Sequence, residues 1–328
     1  MLTQIATAVM WVAIGIAAAL ALYWVLNKIA ELLPDPWEHR LKPYLYILPA
    51  YTAITIYLIY PTILTLIYSF KDRFHQEWVG FDNYTNLLST AAFRDSLLNT
   101  LLWMIFVPTV TVAMGLAVAV LADRLGPKGE KFSKTLIFLP MAISLIGSAK
   151  TWQFIYDFRS PATGKPQIGL LNAVITKLGF DPVPWLNKFD FHSNSFALMV
   201  IMLWAQIGFS MVLLSAAVKG VPTETIEAAR IDGANERQIF GRVVVPQIRG
   251  TIITVLITVM IGVMKTFDVV YGTTGGNFKT GVVASEFFKQ YKFNDQGKMS
   301  AIVVMLLLAV LPIMIYQVRH FRAEEAAA

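Results

Sequence analysis

The stretch Glu227-Ala-Ala-Arg-Ile-Asp-Gly233-Ala-Asn-Glu-Arg-Gln-Ile-Phe240-Gly-Arg-Val-Val-Val-Pro246 is charged and helix-forming, and it stands between two long apolar runs. Thr223 is placed to cap a first short helix, with Glu224 and Glu227 in its opening turns near the positive end of the helix dipole. Asp232-Gly233 then stops or bends it, because glycine takes a positive φ at little cost and lets another surface approach closely. Asn235 caps a second helix in which Ile239, Phe240, Val243 and Val244 form an apolar stripe, and Pro246 ends the unit. A plain connection needs only a few polar residues, so capped helices with a stripe read as a socket for another protein. The competing reading, an interfacial helix lying on lipid, fits poorly with an acidic first half facing anionic headgroups.

The composition places this loop in a membrane. Apolar residues make up 56% of the chain, and several runs reach the roughly 20 residues needed to cross about 30 Å of hydrocarbon. Seven spans are expected, near 3–26, 44–70, 97–121, 136–156, 195–218, 251–271 and 299–317. Lipid cannot solvate a backbone amide, so spans are helices or closed barrels, and unbroken runs this long favour helices. Alternating barrel strands are not visible. The fold class is therefore an all-α integral membrane protein.

The chain has no Cys and four His, and His39, His75, His192 and His320 all fall in expected loops or tails. That removes disulfides and thiolate chemistry, predicts no metal site, and disfavours a His-based proton relay inside the bundle. Lys and Arg gather beside membrane ends without an aromatic-interleaved basic patch, so no nucleic-acid partner is expected. Loops 27–43, 122–135 and 219–250 with the tail after 317 hold 14 Lys and Arg; the longer alternate set 71–96, 157–194 and 272–298 holds 11. This bias puts the 219–250 loop and the C-terminus in the cytoplasm and the N-terminus outside. No Lys or Arg precedes the first apolar run, which argues against a cleaved signal peptide, although cleavage near Ala19-Leu20-Ala21 is the alternative.

Lys150 and Lys265 fall late in spans that run outward. A central Lys costs about 2.5–3.5 kcal/mol in insertion, so each either snorkels to the outer interface or lines a polar path. Ser144, Ser148 and Trp152 accompany the first; Thr266, Asp268 and Tyr271 accompany the second, with Asp268 placed to neutralise Lys265. In the outer loops, Trp78-Val-Gly-Phe-Asp-Asn-Tyr84 mixes aromatics with turn formers, and Gly169 to Gly179 carries a short helical pattern closed by glycine. No interdomain linker or repeat is evident, so the chain reads as one membrane domain.

Glu227-Ala228-Ala229, Asp232-Gly233-Ala234, Phe240 and Val245-Pro246 together resemble the coupling-loop signature of permease subunits in bacterial ATP-binding cassette importers. Trp78 to Tyr84, Asn99-Thr100, Leu139-Pro140, Gly169 to Asn172, Phe267-Asp268 and Thr274-Gly275-Gly276 look like marks of the sugar-importing branch. The resemblance covers roughly 44–317, and the segments 276–280 and 301–316 are most similar to α-glucoside permeases, with glucosylglycerol and trehalose relatives as alternatives. It implies a bacterial inner-membrane permease, one of two related permease subunits over a dimer of ATP-binding subunits, with an extracytoplasmic sugar-binding protein delivering substrate and lipid around the spans. It also implies a six-helix core over 44–317, an N-terminal accessory helix and cytoplasmic connection over 1–43, and a cytoplasmic tail over 318–328. No phosphate-binding Gly-x-x-x-x-Gly-Lys-Ser/Thr loop is present, so ATP and Mg belong to the partners and this chain is no enzyme.

Aligning on Trp204 and Glu227, the resemblance carries the maltose-type sugar site onto Met202, Gln206, Phe209, Val259, Val263, Met141 and Leu145. Several of these are apolar here, a departure from the maltose pattern. Gln206 is the polar candidate, with Ser144, Ser148 and Thr266 as neighbours; helix–helix hydrogen bonding is the other reading for each. An ion-coupled secondary transporter would need coupling acids or inverted repeats, and a membrane enzyme a catalytic constellation; apart from Asp268 neither is evident.

Overall fold

A computed structural model describes residues 2–32, 34, 37–188 and 192–327. The described residues form helices and connecting loops, with one isolated bridge between Lys71 and Trp78. The chain divides into a unit ending at Ile67 and a unit beginning at Tyr68.

The first unit holds α1 (Leu2–Glu31), α2 (Trp37–Ile54) and most of α3 (Tyr60–Tyr68). Tyr46 Oη donates to Asn27 Oδ1 at 2.8 Å and stacks on Tyr23 at 5.9 Å between ring centroids, which pins α2 to α1. A widened π turn over Thr55–Ile59 joins α2 to α3. Pro61 lies just beyond it, and a proline both lacks an N–H and clashes with the carbonyl four residues earlier, so the wider turn accommodates it. His39 lies on α2, not in a loop, and His320 lies on the last helix.

In the second unit α4 (Asp82–Ser89) leads into α5 (Ala91–Asp123), and α9 (Ser193–Lys219) is the centre. Of the most apolar window, 56% is buried in α9 against 33% in α5 and 17% in the last helix, α16 (Gln296–Ala327). Trp103 and Val107 of α5 and Leu198, Met202 and Met211 of α9 share one buried core. Small residues allow the close seam: a Cβ on Gly115 would lie 2.7 Å from Ser210 Cβ. Elsewhere Leu101, Ile105 and Leu121 remain exposed, as suits side chains whose solvent is lipid.

Two expected spans are not single helices. The run 136–156 is α6 (Pro127–Phe138), a tight turn over Leu139–Ala142, and α7 (Leu145–Ile155), bent by 102°. Pro140 sits in that turn, and Ser144 restarts the helix by accepting the Gly147 amide at 3.2 Å. The run 251–271 is α13 (Arg249–Met264), a break at 265–267, and α14 (Asp268–Thr273). Among the described residues, five helices are long and apolar enough to cross a membrane, and up to seven if two bent pairs, 127–142 with α7 and 236–247 with α13, each make one span. Both span lysines are exposed; Lys150 Nζ donates to Gln153 Oε1 at 3.2 Å, and Lys265 forms no ion pair with Asp268.

The ends of the helices away from the 219–250 loop are tied by one buried amide. Asn99 Nδ2 donates to the carbonyls of Lys279 (2.5 Å) and Gly281 (2.9 Å), while its Oδ1 accepts from Ser195 Oγ at 3.2 Å and lies 3.0 Å from His192 Nδ1. The expected short helix is α8 (Leu170–Lys177), closed at Gly179 with φ +87°. The amphipathic α15 (Val283–Lys292) precedes α16.

Candidate functional site

The loop after α9 folds as α10 (Thr223–Ile231), α11 (Glu236–Ile239), a π turn over Phe240–Val244 and the single turn α12 (Val245–Gln247). Thr223 does not cap α10: Pro222 takes the flanking position and Thr223 is already helical, so a fixed proline φ rather than a side-chain acceptor starts the helix. Asn235 caps α11 as expected. Its Oδ1 accepts the Gln238 amide at 3.0 Å and Gln238 Oε1 accepts the Asn235 amide at 2.9 Å, a reciprocal capping box. Gly233 has φ +81°, the left-handed region that reverses the chain between the helices.

One face of the loop is anchored and the other is open. Ile239 and Val244 are buried with Val221 and Ile248, and Ala229, Ala234, Phe240 and Val243 pack against them. Glu227, Ala228, Asp232, Gly233 and Pro246 are exposed. Glu227 has no ion pair among the described residues, and the neighbouring Ile231 is 86% exposed. Pro246 lies inside α12 rather than ending the unit; the chain turns at Ile248 and meets α13 at a 69° bend.

A set of charges that sequence reasoning missed holds the loop's root. Lys219 Nζ lies 2.6 Å from Glu130 Oε1 and 3.3 Å from Asp123 Oδ1; Lys134 Nζ lies 2.5 Å from the same Glu130 oxygen and donates to Ser215 Oγ. These residues join the ends of α5, α6 and α9. The one signal in the sequence is the spacing of Glu130 and Lys134, four apart on a helix.

The candidate solute residues separate into two groups. Met202, Val259 and Val263 are buried in the core, with Leu145 and Phe209 packed on it, so these five belong to one large apolar cluster. Ser148 and Thr266 are also buried; Ser148 Oγ has no hydrogen-bond partner, while Thr266 Oγ1 donates to the Gly262 carbonyl at 3.3 Å. Met141 and Ser144 are exposed at the α6–α7 break, where Ser144 is spent on its cap. Gln206 is half-buried on α9, and its amide makes no hydrogen bond to a described residue.

No group of three metal-ligating side chains occurs among the described residues. An exposed, capped, two-helix platform at one end of a helical bundle, with a half-buried amide within the bundle, suits force transfer and passage. The family model for the inner-membrane component of binding-protein-dependent transport systems matches residues 92–323. The chain belongs to this family.

The permease is 40% identical to the alpha-glucoside transport system permease protein AglF of Rhizobium meliloti, over 98% of this chain and 98% of that protein. It is 46% identical to the osmoprotective compounds uptake permease protein GgtC of Synechocystis sp., over 86% of this chain and 99% of that one. Among solved structures, a chain of a bacterial alginate ABC transporter in complex with an alginate pentasaccharide-bound periplasmic protein superposes with a TM-score of 0.72 at 21% identity, covering 87% of this chain and 96% of that one. That likeness shows the fold alone. The permease is a multi-pass inner-membrane transport subunit of the ATP-binding cassette type, and the ion-coupled reading has no support.

Proposed function

We propose that this chain forms half of the translocation path of an ATP-driven importer for an α-glucoside such as maltose, sucrose or trehalose, or for glucosylglycerol. The observation that carries the reading is the near full-length similarity to an alpha-glucoside permease together with the exposed platform α10–α11. In this reading a second homologous permease completes the path, a dimer of ATP-binding subunits holds ATP and Mg, and an extracytoplasmic sugar-binding protein supplies the solute. Residues 44–317 are the six-span core with the 219–250 coupling loop, 1–43 carry an accessory span, and 318–328 form a cytoplasmic tail. The N-terminus is outside.

The buried stripe of Ile239 and Val244 makes the platform move with its own spans, and the exposed face around Glu227, Ala228, Asp232 and Gly233 meets the ATPase. ATPase rotation would then tilt the spans between inward and outward states. Gln206, with an unengaged amide, is the group that contacts sugar; Phe209 and Met202 supply apolar surface for a ring face, with Val259, Val263, Leu145, Met141, Ser144, Ser148 and Thr266 around them.

Proteoliposomes holding the four-subunit complex test this, with binding protein outside and ATP inside, supplied with labelled maltose, sucrose, trehalose and glucosylglycerol in turn. ATP-dependent uptake of at least one is expected, and Gln206→Ala is expected to alter the preference among them. Uptake of none, or uptake driven by an ion gradient without ATP, overturns the reading.

A further inference from the structure

A pocket of about 370 Å³ lies where α7 ends, walled by residues 153, 154, 156–158 and 184–187. Tyr156 Oη donates to the Ala197 carbonyl at 2.9 Å, which holds the pocket against the first turns of α9. Ala197 and Lys219 are about 33 Å apart along that helix, so the pocket is at the opposite end from the 219–250 loop. Its volume falls inside the ~300–1,000 Å³ of small-molecule sites.

Phe154, Phe158 and Pro184 give the pocket apolar walls, and Phe154 is 74% exposed. Asp157, Trp185 and Asn187 bring polar groups that nothing in the described chain uses. The buried Trp185 Nε1 has no hydrogen-bond partner, and neither the Asp157 carboxylate nor the Asn187 side-chain amide bonds to a described residue. Gln153 is the contrast: its Nε2 donates to the Thr273 carbonyl at 2.7 Å and its Oε1 accepts from Lys150. Trp185 Nε1 is closed to water, so the groups within a ligand's reach are the Asp157 carboxylate and the Asn187 amide.

The chemistry selects the ligand. A carboxylate and a carboxamide accept from neighbouring hydroxyls, the carboxamide also donates to a hydroxyl or ring oxygen, and aromatic faces cover the C–H face of a pyranose. A lipid chain would leave the acid and the amide without partners, and a phosphate would meet the charge of Asp157. From the pocket a chain of ring contacts runs into the buried core: Trp185 to Tyr156, itself 4% exposed, at 6.3 Å, Tyr156 to Trp152 at 5.3 Å, and Trp152 to Trp204 at 5.9 Å. Trp204 marks the level of Gln206 to within about 3 Å along the axis of α9, although residues two apart on a helix face opposite sides.

We propose that this pocket is a glycosyl-binding subsite at the outer mouth of the path, which takes one ring of the incoming glycoside before it reaches the level of Gln206. The inference rests on the importer reading above, and on its assignment of this end as extracytoplasmic.

The test uses the full complex in nanodiscs without binding protein, titrated calorimetrically with maltose, sucrose, trehalose and glucosylglycerol, alongside uptake by the same preparation in proteoliposomes. Whichever sugar the wild type imports should bind saturably. Asp157→Ala should weaken binding by about tenfold or more, as expected for losing a charged hydrogen bond. Trp185→Phe, which keeps a ring and loses the donor, should weaken it less, and Asp157→Asn should recover part of the loss. Asn187→Ala, at an exposed position, should weaken binding with no loss of co-purifying ATPase, separating recognition from assembly. Wild-type affinity in Asp157→Ala and Asn187→Ala, with import intact in the wild type, overturns the subsite alone. Unchanged sugar affinity with weakened docking of the binding protein also overturns it, making the pocket a protein contact. If the wild type imports none of the sugars, the importer reading and the subsite fall together.

Discussion

A Cβ added at Gly233 would meet no atom of this chain within 4 Å, although φ is +81°. The cost of Leu there is backbone strain of about 1–2 kcal/mol and no clash, so the permease should still insert. Gly233→Leu should therefore uncouple uptake from ATP hydrolysis through the partner surface, and Glu227→Ala should act likewise; Gly233→Asn, which tolerates the left-handed region, should be milder. Normal uptake with Gly233→Leu would remove this position from the docking face, whereas loss of co-purifying ATPase would make the loop a binding element first. A second residue-scale prediction concerns the loop after α3. His75, with φ +61°, stacks on Tyr68 at 3.6 Å, and burial lowers its pKa from the ordinary value. Because the folded loop favours the neutral ring, its contribution is present above about pH 6.5 and is lost as pH falls through the lower folded value. Amide exchange over residues 70–79, corrected for intrinsic rates, should show protection falling from about pH 7 to about pH 5. The control is His75→Asn, which keeps a residue tolerant of positive φ and removes the titrating ring. It should flatten that dependence, and an unchanged profile would clear His75. Nearby, amides of Glu77 and Gln76 hold Asp72 below its usual range, but that group titrates at lower pH. Local chemistry such as the Asn235 cap was legible in the sequence because both partners lie within four residues. The unspent groups of Asp157, Trp185 and Asn187 were not, since only folding brings 153–158 against 184–187.

At the scale of elements, hydropathy located α5 and α9 well, because each is a continuous apolar run with polar ends. It found an apolar run at 136–156 but not its bend, where α6 turns into α7 by 102°, for a window of mean apolarity does not register one proline in a tight turn. Leu139-Pro140 stands out as a motif, yet its geometric effect depends on what packs beside it. Gly208 of α9 is that neighbour: a Cβ there would lie 2.6 Å from the Ile137 carbonyl oxygen and 2.7 Å from Phe138 Cα. Both obstacles are backbone and cannot swing away. Gly208→Leu should push α6 off α9 and cost about 1–3 kcal/mol or more, with Gly208→Ala less severe. A thermal scan of the purified complex by tryptophan fluorescence checks this; an unchanged midpoint would show that α6 is free to shift.

For the whole molecule, the Lys and Arg bias and an odd number of spans predict that a reporter active only in the cytoplasm works at the C-terminus and fails at the N-terminus. An active N-terminal reporter would mean that 3–26 does not span or is removed, and the core proposed over 44–317 would survive that result. The ion cluster at the foot of α9 bears on how such a molecule carries load. Lys219 is the last residue of α9, and it touches acids at the end of α5 and the start of α6. A push delivered to the loop thus reaches three helix feet at once, like a crank pinned to three rods. Two of its pins, Lys219 and Asp123, are charges about half open to water, so dissolved salt loosens them: the stiffness of the linkage is set partly by the ionic strength of the solution that bathes it.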